Sequence, residues 1–86
     1  MSTHNQLYAM SYIYEEGDNA TYICKGFDDA LKEARGFILD YINDSEDIQM
    51  DYDENINSKN EEGWFEVFDA ATGETILKIY VNKIYK

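Results

Sequence analysis

One stretch of this chain carries the helical period, and stretches with the strand period flank it on both sides, which leaves few folds open. From Asp28 to Ile42, apolar residues fall at Ala30, Leu31, Ala34, Phe37, Ile38, Tyr41 and Ile42. At 100° per residue they cover a stripe roughly 140° wide, as an amphipathic helix with one face in a core requires. Phe37 and Ile38 lie in this apolar stripe and are expected to be fully buried. Asp28 stands where an N-cap carboxylate would accept a bond from an orphan amide, and Asp29 suits the positive end of the helix dipole. Gly36 costs about 1 kcal/mol relative to Ala inside the helix and reads either as tolerated or as making room for a close neighbour.

Ahead of the helix, residues 6–16 (QLYAMSYIYEE) alternate Leu7, Ala9, Ser11 and Ile13 with Tyr8, Met10, Tyr12 and Tyr14. "EEGDNA" is turn chemistry, since Gly17 and Asn19 tolerate positive φ, and "TYICK" resumes the alternation. Residues 6–25 therefore predict a hairpin. Beyond Asn43 the chain turns irregular and acidic. "DIQMDYD" alternates Ile48, Met50 and Tyr52 with polar residues only weakly, leaving room for one extra short strand. "WFEVFD" and "TILKIYVNKIY" read as strands joined by "AATGE", where Gly73 supplies the turn of a second hairpin. The expected fold class is α+β: an antiparallel sheet of two hairpins with one amphipathic helix packed on one face. The lysines of the closing strand would discourage edge pairing if that strand lay at an edge.

Eighty-six residues predict a single domain, residues 1–86, with residues 1–5 as a flexible tail. A content of 44% hydrophobic and 15% aromatic residues is too high for a disordered acidic tail, so the chain should fold. No apolar run is long enough to span a membrane, and none follows a basic start as a secretory signal would. Cys24 is the single cysteine, which rules out an internal disulfide and agrees with a reducing compartment. Together these features predict a cytoplasmic protein.

Charge says most about partners. Eighteen acids against seven Lys and Arg give a formal net charge of −11. Such a chain repels nucleic acid and anionic membranes and is steered toward basic surfaces. The charge is also gathered: Asp40 to Glu62 holds nine acids and only Lys59, whereas the last nine residues hold Lys78, Lys83 and Lys86 and no acid.

Residues 51–62, "DYDENINSKNEE", place Asp51, Asp53, Asn55, Asn57 and Glu62 where a twelve-residue calcium loop places its oxygens. The rest of the pattern fails. The sixth position, which needs Gly for a sharp turn, is Ile56, the eighth is Ser58, and the "GWFEVF" that follows reads as strand rather than exit helix. No metal and no cofactor is expected. His4 is the single histidine and lies in the polar tail, which removes histidine-based zinc sites and most nucleophile relays. Cys24 reads as a small apolar residue, buried or half-buried. Without a phosphate loop or a dinucleotide glycine pattern, the chain is not expected to be an enzyme.

The polar side of the helix is more telling. Asp29, Glu33, Asp40 and Asp44 fall within an arc of about 60°, with Lys32 and Arg35 on the opposite flank. This row can run on into Glu46, Asp47, Asp51, Asp53 and Glu54, and these nine acids are the candidate partner-binding residues. Solubility does not require like charges to be gathered, and gathering them costs self-repulsion. In size, acidity, tyrosine content and layout the chain resembles the small acidic proteins of phages and mobile elements that block restriction enzymes, CRISPR effectors or repair glycosylases, and the immunity proteins that neutralise basic nucleases. No motif narrows that resemblance to one family. It implies a non-enzymatic inhibitor or decoy that mimics nucleic-acid charge in the basic groove of a nucleic-acid-binding protein, without binding nucleic acid or membrane itself. Two alternatives stand beside it: a small structural or adaptor domain associating through a strand edge or the face of Tyr8, Tyr12 and Tyr14, compatible with a homodimer, and a divalent-cation-binding module.

Overall fold

A computed structural model describes residues 6–84. Its elements run β1 (Leu7–Tyr14), β2 (Asn19–Cys24), α1 (Phe27–Asp44), β3 (Met50–Asn57), β4 (Glu62–Asp69) and β5 (Thr75–Ile84). The class is α+β, with five antiparallel strands in the order β2-β1-β5-β4-β3 and the helix on one face.

Alternation decides what each strand buries. Tyr8, Met10 and Tyr12 of β1, Leu77, Ile79 and Val81 of β5, and Phe65 and Val67 of β4 turn to the helix and are buried. Against them the helix sets Phe27, Ala30, Leu31, Ala34 and Ile38. Each large apolar side chain fully buried there contributes roughly 1.5–3 kcal/mol. Phe37 departs from expectation. It is only half-buried, its ring edge-on to Tyr12 at 4.9 Å and stacked on Tyr41 at 5.9 Å, whereas Ile38 is 0% exposed. The stripe is wide enough that its margin lies along the sheet rather than in it.

β2 and β3 form the two edges, so the helix must carry the chain from one side of the sheet to the other. Its 18 residues rise about 27 Å, which matches an eight-residue strand. The closing strand is central: β5 lies between β1 and β4 and joins the two hairpins through eight paired residues from Leu7–Ile84 to Tyr14–Leu77. Lys78 and Lys83 therefore do not guard an edge.

The N-terminus of the helix also differs from expectation. Gly26 is the N-cap and makes no side-chain cap bond, while Asp28 and Asp29 lie in the first turn, where their charge still favours the dipole. The helix continues to Asp44, two residues past Ile42. The weakly alternating segment after it is a full eight-residue strand, β3.

The β3–β4 hairpin requires glycine at 63. A Cβ there would lie 2.8 Å from Ile56 Cδ1 and 3.0 Å from the Asn55 carbonyl oxygen. In the two turns that contain a predicted glycine, Gly17 (φ 109°) and Gly73 (φ 80°) adopt the left-handed backbone.

Candidate functional site

The twelve residues that resemble a calcium loop are a strand, a turn and the first residue of the next strand. Oxygens spaced by two residues share one side of a loop in a calcium site; in a strand the same spacing puts them on one face. Met50, Tyr52 and Ile56 pack against the core, so Asp51, Asp53, Asn55 and Asn57 line the opposite, uncovered face of the sheet. Among the described residues no three His, Cys, Asp or Glu side chains come together as a metal site. His4 lies outside the described residues.

The nine candidate acids do not form one surface. Glu33 and Asp40 border a groove between the helix and β2, floored by Met10, Tyr12 and Phe37, and Asp29 lies next to it beside Cys24 and Lys25. Asp44, Glu46 and Asp47 follow at and beyond the C-terminal end of the helix. Asp51 and Asp53 are on the other layer, at the far edge of the sheet, with Asp51 Oδ1 accepting the Tyr52 amide at 2.8 Å. Glu54 points back to the helix, where its two oxygens accept Arg35 Nε and Nη2 at 3.0 and 2.8 Å. Arg35 holds the Glu54 carboxyl below its ordinary range, and Glu54 raises Arg35 in turn. The continuous row read from the sequence is thus split by the sheet, because β3 alternates where a helix would have continued the stripe. Lys32 also departs from its expected flank and lines the same groove as Glu33.

The helix-flank acids are little compensated. Of eighteen acids only two, Glu54 and Glu61, are ion-paired, the second with Lys83 at 3.4 Å, leaving sixteen with no ion-pair partner among the described residues. The last turn of the helix holds no basic residue, so Asp44 sits at the negative end of the dipole, with Asp40 one turn earlier and Glu46 and Asp47 just beyond. Carboxylates there disfavour the helix by roughly 0.3–1 kcal/mol each. Asp28 and Asp29, at the other end, favour it.

Two other surfaces bear on the adaptor alternative. Tyr8 and Tyr12 are 4% exposed beneath the helix and Tyr14 is half-buried, so the tyrosine face is core rather than a free docking face. Burial, then Glu33 and Asp29, pushes the Cys24 thiol up, away from the reactive thiolate, and its Sγ lies 3.8 Å from Met10 Sδ. The β2 edge was not singled out by its own composition, though a signal existed: residues 19–24 hold no charge in a chain that is 29% charged. No protein-family model, curated protein or solved structure matches the chain.

Proposed function

We propose that this protein is a non-enzymatic binder whose acidic helix flank occupies a basic, nucleic-acid-binding surface of another protein. The observation that carries the reading is the set Asp40, Asp44, Glu46 and Asp47. These acids gather at the end of the helix where they oppose its dipole, with no base in the last turn to offset them. A charge run kept only for solubility has no reason to collect where it costs stability. Arg and Lys arranged to grip phosphates also grip carboxylates, and the helix offers one about every 6 Å where acids recur at four-residue spacing. Asp51 and Asp53 face the other way and belong to this contact only if the partner wraps around the β3 edge.

The test is capture from the native cell at low salt, followed by competition of the captured protein against duplex DNA. Asp40→Asn, Asp44→Asn, Glu46→Gln and Asp47→Asn combined should weaken binding at least about tenfold, equal to about 1.4 kcal/mol. Asp51→Asn with Asp53→Asn should change it little. Binding should also fall as salt rises. A partner that holds duplex DNA and this protein at once, or an affinity untouched by the four substitutions, rules the proposal out.

A further inference from the structure

We infer that the free edge of β2 is a self-association surface, and that two copies pair antiparallel through it about a two-fold axis at Thr21. Among the described residues β2 is hydrogen-bonded on one side only. The turn bond from Tyr14 N–H to the Asp18 carbonyl, 2.9 Å, sets the phase of the ladder. Bonded pairs recur at every second residue, so Ala20, Tyr22 and Cys24 bond to β1, while Asn19, Thr21 and Ile23 aim N–H and C=O at the open edge. Pairing Thr21 with Thr21 of a second copy, and Asn19 with Ile23, satisfies all six of these groups on each copy.

The side chains suit the same register. Directly opposed residues share a face, so Thr meets Thr, a favourable cross-strand pair. On the helix side Tyr22, 55% exposed and edge-on to Tyr12 at 5.3 Å, lies opposite Ala20 of the other copy, a large residue over a small one. Ile23, 56% exposed, lies opposite Asn19 on the other face.

Charge selects this edge over the alternative. The other edge strand, β3, carries Asp51, Asp53 and Glu54, and pairing it with itself would oppose like charges. β2 carries none from Asn19 to Cys24. Pairing β2 with itself is closed and leaves only the self-repelling β3 edges, whereas β2 on β3 would propagate as a filament. The axis is perpendicular to the sheet, so both helices fall on one face of a ten-stranded sheet, with the acidic flanks bordering β2 turned toward each other. Repulsion between them opposes association, and the dimer should strengthen as salt rises. That sign is opposite to the salt response of the basic partner in the proposed function, so the two readings fail independently.

Sedimentation equilibrium of the full chain over about 10 μM to 1 mM, in low and in moderate NaCl, reads the association, in a range suited to an interface below the standard size class. A monomer–dimer equilibrium is expected, shifted several-fold toward dimer by salt. Thr21→Lys places two ammonium groups on the axis, and Thr21→Pro removes an amide the β1 ladder does not use; both should stay monomeric with the circular dichroism spectrum of the parent. A gain-of-signal test covers the case in which either variant fails to fold. In a Cys24→Ser background, Thr21→Cys opposes two thiols across a bonded pair with Cα atoms about 5.5 Å apart, within disulfide reach, and mild oxidation should link the dimer. A chain that is monomeric throughout and forms no Thr21→Cys cross-link overturns the inference. So does a dimer that Thr21→Lys leaves intact.

Discussion

Arg35 stands between two kinds of partner: the Glu54 carboxylate, and the Phe65 ring with its centroid 5.9 Å from the guanidinium carbon. The two contacts respond differently to pH. Because the Glu54 carboxyl is held below its ordinary range by the Arg35 hydrogen bonds, its folded pKa is depressed. The stabilisation is therefore complete above the unfolded value, about 4.3, and is lost as pH falls through the lower folded value. Both side chains are about a third exposed or more, so solvent screens the pair and its worth is at most about 1 kcal/mol. Glu54→Gln should lower stability by that much or less near neutral pH, and the difference from the parent should close as the carboxyl protonates. Arg35→Ala should cost more, by roughly 0.5–1 kcal/mol, and should keep part of that cost in acid because the ring contact does not titrate. Urea unfolding at neutral and acid pH compares the two; equal losses at both pH values for Glu54→Gln would show that the ion pair contributes nothing. Neither residue type nor spacing announces this pair, since 19 positions separate its members and only the fold brings Glu54 under the helix.

Among the elements, the helix was the most legible and its margins the least. Ala30, Leu31, Ala34 and Ile38 are buried as the stripe requires, because packing selects one face at 100° per residue. Where the stripe meets the open groove beside β2 the pattern cannot say how far cover extends, and Phe37 falls on that line. Ile38→Ala should therefore destabilise by about 2–5 kcal/mol, and Phe37→Ala by less than the roughly 3–5 kcal/mol of a core phenylalanine. Chemical denaturation ranks them, and a Phe37 loss well above that of Ile38 would contradict the packing. β3 was faint for a related reason: an edge strand with acids on both faces needs only Met50, Tyr52 and Ile56 toward the core. The hairpin it makes with β4 depends on Gly63. Gly63→Ala should destabilise by about 1–3 kcal/mol through overpacking. Adding Ile56→Val removes the methyl at 2.8 Å but leaves the Asn55 oxygen at 3.0 Å, so rescue in thermal melts should be partial. Full rescue would place all of the strain on the side chain.

For the whole molecule, a net charge of −11 with sixteen acids unpaired among the described residues makes the folded state self-repelling. Raising NaCl from low to moderate strength should raise the melting temperature, since the Debye length shrinks from about 30 Å to about 8–10 Å and repulsion beyond that distance is screened. Asp44→Asn with Asp47→Asn should raise it at low salt as well, by relieving both the repulsion and the helix dipole, with the gain shrinking as salt is added. If these two substitutions lower the melting temperature, Asp44 and Asp47 hold structure and the argument that they are kept against stability fails. No helix among the described residues is long and apolar enough to cross a membrane.

Local periodicity was sufficient to determine the helix, both hairpins, the α+β class and the excess of negative charge, because each depends on residues only two to four positions apart. Strand order and the division of the acids depended on contacts made across the chain. The central place of β5 comes from pairing the first strand with the last, and no local pattern encodes that partner. The acids read as one row lie on two layers because β3 is a strand, and a strand turns every second side chain to the opposite face. The uncharged edge of β2 was present in the sequence all along, but it became a surface only when the tertiary structure left that strand with one neighbour instead of two among the described residues.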